Sequence, residues 1–401
     1  MSAAAPDRPV TRLRAPQGEF ELERYPVRPR EPLRAWDGAD EHLLAHLAGH
    51  DPAGGGEAPA PVDLSGTVVI VNDAWGALST ALAGAAPILV TDSALAEQAA
   101  RRNVARHAGA AAGTGLDVRG PLDDLPERID VLLVRVPRTL ALLEFQLARL
   151  APALRPGAVV IGAGLTKDVH TSTLQAFERF VGPTRTSRAA RKARLVHAVV
   201  DPDRDPGPLD WPRRYEVAGA GGGFTAVNHA GVFSAHHLDV GAGLLLATIP
   251  GRLGPPGARV LDLGCGNGVL GTAAALADPS AEVVFVDESR LALASAQATL
   301  AAAAPGRTAD FRLGGTLADA EVPAASVDVV LNNPPFHSHQ AISDATAWRM
   351  FVDARRALRP GGELRVVGNR HLGYHVKLAR LFGNCAPIAS NAKFVVLRSI
   401  R

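Results

Sequence analysis

The string DVVLNNPPF, residues 328–336, joins an apolar strand to two amides, two prolines and an aromatic ring. The prolines end the strand, because proline has no N–H for a sheet and fixes φ. Asn333, Pro334, Pro335 and Phe336 therefore stand at its carboxyl end. The Asn333 side-chain oxygen and the Pro334 carbonyl are rigidly held hydrogen-bond acceptors, and Phe336 offers a flat stacking face. This set suits a planar substrate that carries an amino group.

An amino group on a purine or in an amide is a weak nucleophile, since its lone pair is delocalised. Acceptors that take hydrogen bonds from its N–H groups orient the amine, so that its lone pair points toward an incoming electrophile. Alignment of the reacting atoms then carries much of the rate, and no strong base is needed first. On this ground we interpret Asn333, Pro334, Pro335 and Phe336 as catalytic residues. The structural alternative is a proline-terminated edge strand with a buried phenylalanine.

A glycine loop lies earlier in the chain. VLDLGCGNGVLG places Asp262 at the end of a strand, and Gly264, Gly266 and Gly268 between that strand and a helix. Glycines let a ligand approach the backbone, and the start of the helix presents unpaired N–H groups. The same segment also fits the Gly-x-Gly-x-x-Gly fingerprint of a dinucleotide site.

Three features favour S-adenosylmethionine over a dinucleotide as the cofactor. A carboxylate at Asp262 suits a cationic methionine end better than a pyrophosphate. The glycine run opens directly from the strand, and the Asn-Pro-Pro-Phe motif has no counterpart in a hydride-transfer site. Asp287, which ends the strand VVFVD, is placed to bind ribose hydroxyls, although it could instead cap a helix. The predicted cofactor-binding residues are Asp262, Gly264, Cys265, Gly266, Asn267, Gly268 and Asp287.

Both halves of the chain alternate apolar strands with helical stretches, which predicts open, doubly wound α/β sheets. The halves also repeat one another: ALRPG begins at Ala153 and at Ala357, 204 residues later (357 − 153). The first half has VNDAW in place of the glycine loop and RVPRT in place of NNPPF. We predict two tandem Rossmann-like domains, a degenerate binding domain at residues 1–215 and a catalytic domain at 216–401. The glycines at 219–223 are expected to form a connector or a tight hairpin.

Composition limits the remaining possibilities. The 401 residues are 47% hydrophobic and 20% charged with a net charge of +2, which suits a globular protein whose nucleic-acid contacts would need local basic patches. The two cysteines, Cys265 and Cys385, do not form a disulfide framework. No apolar run approaches the roughly 20 residues that span a bilayer. We therefore expect a cytoplasmic protein with no membrane partner and no metal site.

Several long strings resemble one family. NPPFH after LDLGCGNGVLG, together with VNDAWGALSTALA, HAGVFSAHHLDVGA and NRHLGYHVKLARLFGNC, resembles the bacterial ribosomal RNA guanine-N2 methyltransferases, which have a duplicated class I methyltransferase fold. Ser338, His339 and Gln340 follow the motif where the small-subunit branch shows Asp-Gly, so the resemblance is closer to the large-subunit (23S) branch. It implies S-adenosylmethionine-dependent methylation of a guanine N2 amine in 23S rRNA. By the same resemblance, residues 333–336 bind the target.

The resemblance also implies the partners. The target guanine must be unpaired or flipped, so protein-free or partly assembled large-subunit RNA is the expected partner, and no oligomer is required. The degenerate domain would bind RNA. Its candidate basic segments are Arg185–Arg194 and the cluster of Arg24, Arg28, Arg30 and Arg34. Three alternatives remain: a 16S rRNA guanine-N2 methyltransferase, a protein glutamine-N5 methyltransferase, and an RNA-binding protein without activity.

Overall fold

The chain divides into two compact units, Met1–Leu209 and Asp210–Arg401. In the part of the chain that the structure describes, each unit is built on a seven-stranded sheet. No described helix combines an apolar composition with the length that crossing a bilayer demands. The structure, a computed structural model, describes residues 11–28, 31–54, 58–107, 115–218, 223–249, 251–335 and 340–401.

The first unit begins with a small hairpin and continues as alternating strands and helices. Its strands are β1 Arg12–Ala15, β2 Gly18–Glu21, β3 Val68–Val71, β4 Ile88–Val90, β5 Asp117–Arg119, β6 Ile129–Arg135, β7 Leu154–Leu165, β8 Thr184–Thr186 and β9 Ala193–Val199. Its α-helices are α1 Gly38–Leu47, α2 Ala77–Ala81, α3 Ala94–His107, α4 Leu140–Leu150 and α5 Thr171–Phe180.

The second unit repeats this succession after a hairpin of its own. Its strands are β10 Arg213–Val217, β11 Phe224–Asn228, β12 Arg259–Leu263, β13 Glu282–Asp287, β14 Asp310–Leu313, β15 Val327–Asn332, β16 Leu358–Asn369, β17 Ala386–Ser390 and β18 Phe394–Ile400. Its α-helices are α6 Val240–Leu246, α7 Val269–Ala277, α8 Arg290–Ala303, α9 Gln340–Ala357 and α10 Tyr374–Phe382.

The two seven-stranded sheets have the same strand order. The order is β5-β4-β3-β6-β7-β9-β8 in the first unit and β14-β13-β12-β15-β16-β18-β17 in the second. The first five strands of each order run parallel, and the last two add an antiparallel edge. The sheets are thus mixed, and the prediction of two tandem doubly wound α/β domains is confirmed.

The repeated sequences DV and ALRPG are explained by a contact that both units form. Asp328 accepts the backbone N–H of Arg259 at 2.8 Å and pairs with Arg359 of the ALRPG segment at 2.8 Å. In the first unit Asp130 likewise accepts the backbone N–H of Thr67 and pairs with Arg155. The same ion pair therefore joins the start of the fourth strand of each sheet to the start of the next strand.

The central strands are buried on both faces, which explains their continuous apolar sequence. In β12, Val260 packs in one hydrophobic cluster of the second unit and Leu261 in the other. Val329 and Val330 of β15 divide between the same two clusters. Because helices cover both faces of the sheet, these strands expose polar groups only at their ends. The carboxyl ends of β12, β13 and β15 meet at one edge of the sheet.

The predicted domain boundary, between residues 215 and 216, falls within β10, and the glycines at 219–223 lie between β10 and β11 in the sequence. β10 and β11 are antiparallel, with Val217 opposite Phe224, in agreement with the hairpin interpretation. Gly219–Gly222 lie outside the described residues. Both strands belong to the second unit, and the division between the units falls between Leu209 and Asp210.

Candidate active site

The glycine loop leaves β12 and enters α7 through three residues with positive φ. Gly264, Gly266 and Gly268 have φ of 69°, 53° and 76°, a region that L side chains rarely adopt. A Cβ at Gly264 would lie 2.7 Å from Met350 Cε, and one at Gly268 would lie 2.8 Å from Ala296 Cα. A Cβ at Gly266 would meet nothing within 4 Å. Two glycines thus allow close packing, and the third leaves an open face beside the backbone.

Asp287, at the carboxyl end of β13, holds this loop in place. Its Oδ2 accepts the backbone N–H of Gly266 at 2.9 Å, and its Oδ1 accepts the N–H of Ser289 at 2.9 Å. A carboxylate has about four acceptor positions, more than these two hydrogen bonds use. The side chain is half-buried at the loop edge. Asp287 can therefore position the loop and still face a ligand.

Asp262 is completely buried at the end of β12. Its Oδ2 accepts the backbone N–H of Gly271 in α7 at 2.8 Å, whereas Oδ1 has no hydrogen-bond partner among the described residues. Burial, together with the negative charge of Asp287, raises the pKa of Asp262 to about 8. A buried carboxyl oxygen without a partner is costly, and a cationic group bound next to it would compensate that cost.

The side chains of the two other loop residues face the protein. Asn267 is buried, and its Nδ2 donates to Tyr215 Oη and to Asn228 Oδ1, each at 2.9 Å. Burial raises the pKa of the Cys265 thiol well above its ordinary value. Cys265 and Asn267 can therefore meet a ligand mainly through their backbone, while Asn267 fastens the loop to the β10–β11 hairpin.

Two asparagines end β15 beside the glycine loop, because Asn332 pairs with Leu263 in register. Asn332 is completely buried and donates its Nδ2 to the Leu263 carbonyl at 2.8 Å. Asn333 donates its Nδ2 to Asp239 Oδ2 at 3.3 Å. Since an ionised carboxylate only accepts, this contact fixes the amide with its nitrogen toward Asp239. Asn333 Oδ1 is left buried with no partner among the described residues.

The rest of the motif is described in part. Pro334 is buried and Pro335 is exposed. Phe336, the predicted stacking residue, lies outside the described residues. The structure thus brings Asn333, Pro334 and the glycine loop to one edge of the sheet.

Asp239 had no predicted role. It caps α6, because its Oδ2 accepts the backbone N–H of Ala242 at 2.9 Å. An aspartate before VGAGLLL is a recognisable helix start, so the cap could have been found in the sequence. Its contact with Asn333 joins residues that are 94 positions apart, so no local sequence pattern could have predicted it.

Comparison with known proteins connects this geometry to one family. Residues 10–202 match the model of the RLMG N-terminal domain, and residues 223–398 match the methyltransferase small domain. Proteins named ribosomal RNA large subunit methyltransferase G are 56% identical in Streptomyces avermitilis, over 97% of this chain and 99% of that protein, and 43% identical in Aeromonas salmonicida, over 95% and 96%. The chain belongs to the ribosomal RNA large subunit methyltransferase G family. The prediction of an S-adenosylmethionine-dependent ribosomal RNA methyltransferase is confirmed.

A solved structure has the same fold as this member of the methyltransferase G family. It is the 16S rRNA N2 methyltransferase (RsmC) of T. thermophilus in complex with AdoMet and guanosine. It is 25% identical, with a TM-score of 0.72, over 98% of this chain and 97% of that chain. The tandem class I methyltransferase architecture is thus shared by both proteins over nearly their whole length.

In this member of the methyltransferase G family, the strand register shows which residues of the first unit stand at the positions of the candidate site residues of the second unit. Val71 of β3 pairs with Val90 of β4 and Val134 of β6, as Leu263 of β12 pairs with Val286 and Asn332. The next residues therefore correspond: Thr91 stands in place of Asp287, and Arg135 in place of Asn333. The carboxylate and the free amide oxygen are both lost.

Other side chains fill the corresponding edge of the first unit. Arg135 forms ion pairs with Asp37 at 2.8 Å and Asp40 at 3.0 Å. Asn72, which follows β3, exchanges two amide hydrogen bonds of 2.8 Å with Gln146. The first unit of this methyltransferase G chain thus keeps the fold and closes its own ligand edge.

Several arginines of the two predicted basic segments form contacts within the first unit. Arg24 lies 4.1 Å from the centre of the Trp75 ring, and Arg34 pairs with Glu41 at 3.1 Å. Arg191 of the second segment also pairs with Glu41. Arg30 lies outside the described residues. These contacts reduce the set of arginines free to meet a phosphate.

Proposed function

We propose that the chain transfers a methyl group from S-adenosylmethionine to the N2 amine of a guanine in 23S ribosomal RNA. The observation that carries this proposal is the buried Asn333 Oδ1, an acceptor that has no partner among the described residues and lies at the same sheet edge as the glycine loop. An unsatisfied buried acceptor is expected to bind a donor, and an exocyclic amine is such a donor.

The described residues fit S-adenosylmethionine. Asp287 would bind the ribose hydroxyls, and Asp262 Oδ1, which has no partner within the described part of the chain, would face the cationic methionine end. The open face at Gly266 would lie against the cofactor, next to the N-terminus of α7. When bound, this cofactor supplies a methyl group activated by a sulfonium centre.

The Asn-Pro-Pro turn would orient the amine. Asn333 Oδ1 and the Pro334 carbonyl would each accept an N–H bond and thereby direct the nitrogen lone pair toward the cofactor loop. Proline adds rigidity here because φ is fixed. Stacking of the target base on Phe336 would add roughly 1–3 kcal/mol, and this role stays a prediction.

Relatives favour the large subunit over the 16S alternative. The relatives named for the large subunit are 41–56% identical to this chain, whereas RsmC of T. thermophilus, a 16S rRNA methyltransferase, is 25% identical. That protein supports the choice of a guanine N2 atom, because it is an N2 methyltransferase whose structure was solved with guanosine bound. We place the proposed reaction in the cytoplasm, on protein-free or partly assembled 23S rRNA, with a monomer sufficient for activity.

The proposal is tested by methylating purified RNAs in vitro. We expect the full-length protein and labelled S-adenosylmethionine to modify protein-free 23S rRNA from a strain that lacks the enzyme, more than 16S rRNA or assembled large subunits. Nuclease digestion and mass spectrometry should then identify N2-methylguanosine. A methyl group on another atom, on 16S rRNA, or on a protein glutamine would refute the proposal.

Asp239 is proposed as the positioning residue for Asn333. Asn is as good a helix cap as Asp, so Asp239→Asn should preserve α6. Because one oxygen, Oδ2, accepts from both Ala242 and Asn333, the oxygen of an amide that keeps the cap would still face Asn333. We expect kcat, the KM for S-adenosylmethionine and Tm of Asp239→Asn to stay close to the wild-type values.

Asp239→Ala is the matched comparison, because it removes both the cap and the contact with Asn333. It should lower kcat about tenfold, the worth of a hydrogen bond to a charged group, and should also lower Tm, as the loss of a cap costs about 1 kcal/mol. Wild-type kcat in Asp239→Ala would show that the orientation of Asn333 does not depend on Asp239.

A further inference from the structure

A polar cleft of about 800 Å³ lies in the first unit. This is within the ~300–1,000 Å³ range of small-molecule sites. Apart from Asp51, the titratable side chains that line it are imidazoles and guanidiniums. These are His42, His46, His50, His197, Arg185 and Arg188.

The imidazoles come together through helix and strand periodicity. In HLLAHLAGH, His42, His46 and His50 are spaced by four residues, so the two in α1 share one face of that helix. α1 packs on β9, where His197 stands opposite Arg185 of the edge strand β8. The rings of His46 and His197 are 4.8 Å apart at an angle of 59°. The cleft therefore presents flat rings next to an exposed arginine.

The rings of His42, His46 and His197 are neutral at pH 7, and the arginines supply the charge. Desolvation lowers the pKa of His42 and His46 and brings that of His197 to about 4. The positive charge of Arg185 acts in the same direction on His46 and His197. Each neutral ring then offers one donor and one acceptor nitrogen.

Arg185 is the least committed of these groups. Its side chain forms no hydrogen bond or ion pair with the residues that the structure describes, whereas the side chain of Arg188 donates to the Gly54 carbonyl at 3.3 Å. Nor do the histidines point to a metal, since no described group of three His, Cys, Asp or Glu side chains is arranged to hold one. An exposed cation next to neutral rings is suited to an anionic ligand with a planar part.

We infer that this cleft binds an unpaired nucleotide of the RNA substrate, with the phosphate on Arg185 and Arg188 and the base against the ring of His46. The inference rests on the proposed function and identifies where the first unit meets RNA. Guanidinium groups bind phosphate oxygens in a bidentate manner, and histidine rings stack on unpaired bases. A paired base could not enter the cleft, so the site would select single-stranded segments.

The first test compares two variants, each of which lacks one positive charge. Arg185→Ala is compared with Lys192→Ala, which lies in the same basic segment but does not line the cleft. The probe is a fluorescein-labelled single-stranded RNA 12-mer, followed by anisotropy with the full-length protein. We expect Arg185→Ala to weaken binding about fivefold near 0.1 M salt and to reduce the slope of log K against log salt by about 0.7, the value for one phosphate contact to a single strand. Equal losses in both variants would instead indicate diffuse attraction to the basic segment and would overturn the inference.

The second test separates stacking from charge. His46→Ala should weaken RNA binding at least about fivefold, because stacking on one base is worth roughly 1–3 kcal/mol. His46→Phe keeps a flat ring and should retain most of the affinity. If His46→Phe binds as poorly as His46→Ala, or if both bind like the wild type, the ring does not stack on a base.

Crosslinking gives a readout that does not depend on variants. Ultraviolet crosslinks from a 4-thiouridine 12-mer should map by mass spectrometry to peptides that contain residues 42–53 or 185–197. Crosslinks elsewhere in the first unit would overturn the inference. If the cleft binds RNA but no N2-methylguanosine forms, the proposed function fails alone. If methylation occurs and Arg185→Ala binds RNA normally, only the cleft assignment fails.

Discussion

Asn333→Ala is expected to slow methyl transfer by about 10²–10³ while S-adenosylmethionine still binds with nearly wild-type affinity. The side chain ends in an acceptor that has no partner within the described residues, and its nitrogen is fixed by Asp239. Removing one preorganised hydrogen-bonding group from a reacting centre costs about 10²–10³ in kcat. Single-turnover assays with 23S rRNA should show that loss, and calorimetry should show an unchanged dissociation constant for the cofactor.

Asn332→Ala, a substitution at the adjacent residue, serves as a comparison in this experiment. Its amide donates to the Leu263 carbonyl inside the sheet, so its loss should lower the stability of the second unit. Asn333 is only half-buried, and Asn333→Ala should change Tm much less. Near-wild-type turnover in Asn333→Ala would exclude the role of Oδ1 as the amine acceptor.

Asp287→Ala is expected to weaken S-adenosylmethionine binding by about 10- to 100-fold, since a hydrogen bond to a charged group contributes about 1.5–3 kcal/mol. The substitution removes the proposed acceptors for the ribose hydroxyls. It also frees the backbone N–H groups of Gly266 and Ser289, which loosens the glycine loop. Isothermal titration with the full-length protein measures the effect.

Thr91→Ala provides the matched control, because Thr91 holds the corresponding position in the first unit. It too accepts a backbone N–H two residues later, that of Ser93 at 3.2 Å. We expect Thr91→Ala to leave the cofactor dissociation constant unchanged, because Arg135 and its ion pairs occupy the corresponding edge of that unit. An unchanged dissociation constant in Asp287→Ala would remove the ribose assignment.

Much of the architecture could be predicted because its causes are local. Continuous apolar runs produced the buried strands, and the glycines between β12 and α7 could be recognised because positive φ excludes most other residues. The repeat of DV and ALRPG predicted the duplication, and the structure supplies its reason in the ion pairs of Asp130 and Asp328. Family and cofactor followed from long strings and were confirmed, while the roles of the individual site residues stay predictions.

The sequence did not show how side chains at the site are held. Asn267 was expected at the cofactor, yet its amide is bound by Tyr215 and Asn228 of the preceding hairpin. The histidines at 42 and 46 have a clear helical spacing, but only the pairing of β8 with β9 brings Arg185 and His197 to them. Such contacts depend on which elements become neighbours, and no local pattern encodes that.

The sequence by itself determined the two α/β units, their order and the motif that ends β15, because strand and helix periodicity and the special backbone of glycine and proline act over a few residues. Tertiary structure alone decided that Asn333 presents an oxygen, since Asp239, 94 residues away, orients its amide. It also decided that Arg135 closes the matching edge of the first unit. Buried polar groups must find partners, and in a folded chain those partners come from distant segments.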